Sequence, residues 1–374
     1  MNRDIRIMTL IMFLWGAGEG LFFHIQPLYI EGLGASPTQI GTVLSMMTVV
    51  PALSFIPSGY LSDRLARKPA LLGSCICGVL GMAICSVARD WRDLIPGLVL
   101  YSFSMCCMPF INAYLATAAR GRDLGRVYTR TVAAYTAGMV VSPILGGLLA
   151  DTFSMRVVYL TSAVLFTASL GHVLFLSPQT PDGTSTALVH WRALLSPCIL
   201  GFAGSVLLAF FAMHIAFPLA PNYLADVHGW SASHIGVLGS ISSVGGTVLS
   251  LILGRRLGKP AAALLIGQTL VWLSVLLIAV SPAVGPVMLA YALRGSVTAC
   301  RALTQARAGS LLGESNRGLA LGAADSAVAL AMVLASVAAG WLYRLRPTGP
   351  FVVALILMPI GMVLMGHRLD TTLE

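Results

Sequence analysis

The chain has 374 residues, of which 57% are hydrophobic and only 10% charged, with a mean hydropathy of +0.86; a soluble domain carries roughly 25% charged residues. So little charge cannot cover a water-soluble fold of this size, which excludes a soluble enzyme and points to an exterior that faces lipid. The net charge of +9 would suggest nucleic acid as a partner in a soluble protein, but here the basic residues cluster between apolar runs and no nucleic-acid partner is expected.

Apolar segments bounded by charge, glycine or proline predict helices near 7–29, 39–58, 69–88, 94–117, 131–150, 157–177, 198–224, 233–253, 261–281, 286–308, 318–343 and 350–366. At about 21 residues per span, twelve spans use about 252 residues and leave only short connections. The first apolar run, Ile5 to Ile30, is too long for the apolar core of a leader and lacks a small-residue cleavage site. Sixteen Lys and Arg residues fall on the side that holds the N-terminus, five on the other, and Arg294 and Arg301 inside spans. That bias predicts a multi-pass protein of the cell (inner) membrane with both termini cytoplasmic. The seven cysteines lie within apolar stretches without a CxxC pair, so neither a disulfide framework nor a metal site is expected from them.

The sequence repeats itself. At an offset of 195, Ser36-Pro37-Thr38-Gln39-Ile40-Gly41 falls on Ser231-Ala232-Ser233-His234-Ile235-Gly236, and at 193 Gly125 through Gly147 matches Gly318 through Gly340. The expected organisation is a six-helix bundle over 1–177, a linker over 178–193 and a second six-helix bundle over 194–374. Paired halves of this kind are how many secondary transporters build a site that opens alternately to each side.

The second cytoplasmic loop reads Gly59-Tyr60-Leu61-Ser62-Asp63-Arg64-Leu65-Ala66-Arg67-Lys68, which resembles the loop 2–3 signature of the major facilitator superfamily, with Ala66 in place of a glycine. The fifth helix carries Gly138-Met139-Val140-Val141-Ser142-Pro143-Ile144-Leu145-Gly146-Gly147, similar to the family's exporter motif with Ser142 at one glycine. The resemblance implies an all-α polytopic fold of two pseudo-symmetric six-helix bundles, in which helices one, four, seven and ten line the cavity. It also implies that Asp63 meets the N-terminal end of helix eleven, where the helix dipole stabilises an anion, and so latches the inner gate. Arg64, Arg67 and Lys68 have a second reading, as topology signals facing anionic lipid. The segment Leu94 to Thr117 contains no arginine, whereas proton-coupled drug antiporters of the superfamily usually carry one in helix four.

Charges near the bilayer centre are costly, so each buried one is a functional candidate. Glu19 falls at about the midplane of helix one, on a face with Trp15, Phe22 and Gln26. It is the first candidate for proton binding, with a structural hydrogen bond as the alternative. The repeat pairs it with His214 of helix seven, a residue for proton exchange, substrate contact or packing. Tyr291, Arg294, Thr298, Arg301 and Gln305 form a polar stripe along helix ten. Arg294 suits either an anionic substrate group or an ion pair with Glu19, and Arg301 is expected to pair with Asp325. Tyr101, Met105, Met108 and Asn112 form the corresponding, softer stripe on helix four. A metal site from Glu19, His24 and His214 is disfavoured because the helix-one pair diverges, and no cofactor is expected.

These residues point to a secondary active transporter with a small-molecule substrate and protons as partners, working as a monomer in the bilayer. Efflux of amphipathic organic compounds leads, with exchange or uptake of an organic anion at Arg294 as the alternative and a non-transporting sensor as the reading from another class. No HExxH, Walker loop, GxSxG or pair of loop carboxylates supports an enzyme.

Overall fold

The computed structural model describes residues 3–62, 65–119, 123–179, 197–254, 260–311 and 317–370. In chain order the helices are α1 (Arg3–Phe23), α2 (Gln26–Gly32), α3 (Pro37–Ser62), α4 (Arg67–Val87), α5 (Trp91–Ser104), α6 (Met108–Ala118), α7 (Leu124–Thr152) and α8 (Met155–Val173). They continue as α9 (Pro197–His214), α10 (Ala220–His228), α11 (Ala232–Gly254), α12 (Pro260–Val280), α13 (Val284–Arg294), α14 (Ser296–Leu311), α15 (Arg317–Leu345) and α16 (Gly349–Asp370). No strand occurs among the described residues. Among the described residues, eight helical stretches are long and apolar enough to cross a membrane. In lipid every backbone N–H and C=O must be satisfied within the protein, which is why apolar sequence of this length folds as helix.

Four of the segments expected as continuous helices are interrupted. The first breaks at His24 and Ile25, just before Pro27, and the seventh breaks between α9 and α10 around Pro218 and Pro221. The fourth passes through a 3-10 turn at Met105–Cys107 ahead of Pro109, and the tenth breaks at Gly295. Proline lacks the N–H that would continue the ladder, so each proline break has a covalent cause. Gly295 has a packing cause: a Cβ there would meet the backbone of Gly245 and Gly246 in α11. Helix ends are marked in the sequence as well. Asp90 caps α5, its Oδ1 accepting from the Arg92 N–H at 2.9 Å while Asp93 Oδ2 accepts from the Asp90 N–H at 3.0 Å, a capping box. α10 ends at Gly229, which holds φ +69°, the left-handed conformation that glycine adopts without strain.

The chain clusters into two compact units. Unit 1 comprises Met1–Ala35, Met46–Thr186 and Trp230–Ser240, and unit 2 comprises Ser36–Ser45, Ala187–Gly229 and Ile241–Glu374. Unit 1 is organised around α1, which packs against α7 and α8 through small residues. A Cβ at Gly138 would lie 2.6 Å from the Phe13 carbonyl oxygen, and one at Gly146 would lie 2.6 Å from the Leu21 carbonyl carbon. The Ser162 hydroxyl donates to the Gly18 carbonyl at 2.9 Å. Without a hydrophobic driving force between helices in lipid, such close backbone approach is what holds them together. In unit 2, α9 packs against α15 and α16, and α12 packs against α13, α14 and α16.

Candidate functional site

Glu19 lies in α1 and is 8% exposed. Its Oε2 accepts a hydrogen bond of 2.8 Å from the Tyr135 hydroxyl on α7. It makes no ion pair with any described residue. Around it stands an aromatic cluster. Trp15 stacks on Phe166 at 4.3 Å between centroids, Phe22 meets Tyr101 edge-on at 5.3 Å, and Phe22 stacks on Tyr159 at 5.2 Å. The Tyr101 hydroxyl faces the same carboxylate but makes no hydrogen bond of normal geometry to a described residue. A carboxylate buried among rings with one neutral donor is poorly compensated when ionised.

The close α1–α7 contact fixes this pairing. Ser142 donates to the Gly138 carbonyl at 2.8 Å and occupies the space beside Gly20, and Pro143 sits buried in the same turn. Gly147 admits the Ala232 carbonyl and the Cα of Ser233, and Asp151, one turn on, accepts the Ala232 and Ser233 N–H groups at 3.1 and 2.8 Å. The exporter-like run Gly138, Pro143, Gly146 and Gly147 therefore acts in unit 1 as packing surface.

Gln26 departs from its expected place. The break after Phe23 ends the helical count, so Gln26 belongs to α2 rather than to the Glu19 face; it is 1% exposed and donates to the Met47 sulfur at 2.8 Å. His24 lies in the break with its ring against Gly239. The stripe on the fourth segment is divided by the 3-10 turn. Tyr101 turns into the core, whereas Met108 and Asn112 are exposed, and the Asn112 carbonyl accepts from the Tyr128 hydroxyl at 2.6 Å.

In unit 2, His214 ends α9 with Nδ1 3.0 Å from the Phe210 carbonyl. The Arg294 guanidinium stacks over Phe217 at 4.3 Å and over Tyr291 at 5.3 Å, without an acidic partner among the described residues. Phe217 lies in the break between α9 and α10, so the interruption delivers the ring to the cation. The Gly295 break also divides the helix-ten stripe: Tyr291 is buried and Arg294 half-buried in α13, while Thr298 and Arg301 are exposed in α14. Arg301 Nη2 stands 3.0 Å from Asp325 Oδ1, and the Gln305 amide donates to both oxygens of the same carboxylate at 3.0 and 3.1 Å.

Of the loop signature, Asp63 and Arg64 lie outside the described residues, and Gly59 is placed in α3. Arg67 is buried, 6% exposed, and donates to the Thr117 hydroxyl and, at 3.0 Å, to Gln179 Oε1. Lys68 donates to the Leu174 carbonyl at 2.6 Å. Both tie the start of α4 to neighbouring chain, Arg67 to α6 and to the segment after α8, and Lys68 to the residue that follows α8. Among the described residues no group of His, Cys, Asp and Glu is placed to hold a metal ion.

Tyr135 and Phe217 were not among the residues expected from the sequence. Tyr135 carries one signal, its position one turn before Gly138 on the helix whose small residues must meet a partner. Phe217 carries another, its place next to Pro218 in an otherwise helical run.

Long apolar helices, helix breaks in both repeats and two charged groups in apolar surroundings are the features of a multi-pass membrane protein. The family model of the Major Facilitator Superfamily matches residues 8–213 and 202–372. The chain belongs to the major facilitator superfamily. It is 30% identical over 270 residues to multidrug resistance protein MdtG of Enterobacter lignolyticus, a match covering 69% of this chain and 64% of that protein. It is 31% identical over 274 residues to MdtG of Serratia proteamaculans, covering 69% and 65%. The matched region thus falls just short of two thirds of these relatives' length. Its fold is shared with the nucleoside transporter NupG (D323A mutant), at a TM-score of 0.85 and 15% identity over 98% of this chain and 99% of that one. A POT family transporter in complex with 5-aminolevulinic acid aligns at 0.77 with 16% identity, over 100% and 96%.

Proposed function

We propose that the chain is a proton-coupled secondary transporter of the cell (inner) membrane that works by alternating access and exports small amphipathic organic compounds. The observation that carries this reading is the buried Glu19 carboxylate, held by the single Tyr135 hydroxyl and by no cation among the described residues. Ionised, it invites a proton or a cationic substrate; protonated, it suits its aromatic surroundings. Exchange between these states couples proton entry to release of substrate. The helix breaks in corresponding segments of the two repeats support the same reading, because interrupted helices in matching positions are where transporters of repeated design bind their ligands. The exporter-like motif and the multidrug relatives favour efflux over uptake. Both termini are assigned to the cytoplasm by the Lys and Arg bias, and the working unit is the monomer.

A second reading, exchange or uptake of an organic anion, is favoured by Arg294, which stacks on Phe217 and meets no acid among the described residues. The experiment begins with a ligand-stabilisation screen of the purified protein across drugs, sugars, amino acids and organic acids. Flux of each hit is then measured in proteoliposomes with an imposed pH gradient. Glu19→Gln is expected to abolish gradient-driven flux, and unchanged flux would sink the coupling. Arg294→Ala tests the second reading, which predicts lost affinity for anionic hits only. Saturable binding without flux in any condition would make the protein a sensor.

A further inference from the structure

At the end of unit 1 where α1 begins, α1 and α7 border an open concavity of about 600 Å³ lined by Arg6, Thr9, Leu10, Phe13, Arg130 and Ala134, of which Arg6, Leu10, Phe13 and Arg130 are exposed. Two guanidinium groups therefore border one concavity. Neither is neutralised: no described residue pairs with Arg6 or Arg130. The acids nearest in sequence are engaged elsewhere. Asp4 is 7% exposed and accepts from the Ser177 hydroxyl at 3.2 Å, and Asp123 caps α7 by accepting from the Arg126 N–H at 3.2 Å.

The other wall is apolar. Leu10 and Phe13 are 41% and 39% exposed, and they follow Arg6 by about one and two turns, so the apolar wall lies about 6 to 10 Å beyond the arginine along the helix. A pair of arginine forks is suited to a phosphate or carboxylate, which each can hold with two parallel hydrogen bonds. Leucine and phenylalanine beyond them suit a hydrocarbon or ring. Glu19, the group to which proton coupling is assigned, lies further along the same helix and does not line this concavity.

We propose that this cavity binds the anionic head of an amphipathic phosphate or carboxylate, with Arg6 and Arg130 on the head and Leu10, Phe13 and Ala134 on the apolar part. The head belongs either to a membrane lipid or to a free amphiphile that the protein recruits. Binding is an equilibrium property and does not depend on the transport assignment.

The full chain is placed in phosphatidylcholine nanodiscs, and the heat of decyl phosphate binding is measured against empty discs. Decyl phosphate is expected to saturate one site and to lose about tenfold in affinity in Arg6→Gln/Arg130→Gln, and also with added salt. Arg6→Lys/Arg130→Lys keeps both charges without the forks and should bind more weakly than wild type but more tightly than the glutamine variant, which guards against a variant that merely folds badly. Decyltrimethylammonium, with the same chain and opposite charge, should not compete. Equal affinity of wild type and the glutamine variant, or equal binding of the two amphiphiles, overturns the site. Discs containing phosphatidylglycerol identify the source: competition with decyl phosphate assigns a lipid headgroup and its absence assigns a free amphiphile, and either result upholds the site. Loss of flux in Glu19→Gln leaves this measurement unaffected, so the two readings fail separately.

Discussion

Replacing Gly146 with alanine adds one methyl group at the closest approach of α1 and α7. The new Cβ would fall on the Leu21 carbonyl oxygen, 2.6 Å from its carbon and 2.8 Å from the Leu21 Cα. These are backbone atoms, so no rotamer change relieves the contact. Carbon atoms prefer a separation of about 3.5–4.0 Å, and the helices must part by about 1 Å to restore it. A gap of that size forfeits roughly a quarter to a half of each contact's dispersion energy along the seam, in line with the about 1–3 kcal/mol typical of overpacking. Better helix propensity returns about 1 kcal/mol. The same movement lengthens the 2.8 Å Tyr135–Glu19 hydrogen bond beyond useful range. Gly146→Ala should therefore unfold at lower temperature than the parent and lose gradient-driven transport together with it. Gly171, in α8, is the control, since a Cβ there meets nothing within 4 Å; Gly171→Ala should be neutral or slightly stabilising. Thermal unfolding followed by tryptophan fluorescence reads both. A Gly146→Ala protein as stable as the parent, with full transport, would refute the account of the seam.

Three further outcomes are expected. Tyr135→Phe removes the donor to Glu19 while keeping the ring, and since a hydrogen bond to a charged group contributes about 1.5–3 kcal/mol, the unfolding midpoint should drop and the initial transport rate should fall by about tenfold or more; an unchanged rate counts against a role for the pair. Arg67→Ala strands the partners of a buried guanidinium and should destabilise by about 1–3 kcal/mol, measured as a drop in unfolding midpoint. Arg301→Ala should cost less, about 0–1 kcal/mol, because its partner-facing surface remains open to solvent and Gln305 still serves Asp325; a larger loss than for Arg67→Ala reverses the ranking of the two sites.

The all-helical membrane fold was legible because apolar length and the spacing of charge encode it directly. Counting residues along a helix was reliable as far as the helix was straight. Trp15, Glu19 and Phe22 lie in one helix, α1, whereas Gln26 and Asn112 fell beyond breaks where the 3.6-residue period no longer applies. Pro27, Pro109, Pro218 and Pro221 stand at or near those breaks in the sequence; Gly295 is visible as a glycine but gives no hint of the close approach of α11. The partners of the buried charges were harder to read. Tyr135 meets Glu19 across 116 residues of chain, and only the pairing of α1 with α7 brings them together. Phe217 reaches Arg294 because the backbone leaves its helical path, a placement that periodicity cannot supply.

The four interruptions also determine how these segments carry load. A continuous helix tilts as a rod, so movement at one membrane face is imposed on the other. Divided at His24–Ile25, at Met105–Cys107, between α9 and α10 and at Gly295, each segment becomes two shorter levers sharing a joint, and the torque passed between faces is reduced. Substitutions in α2 can then change one end of the first segment while α1, with Glu19, keeps its packing, and substitutions in α10 can do the same beside α9 with His214. The joints let the two ends of each segment diverge independently in evolution, since a change on one side of the break is not transmitted whole to the other.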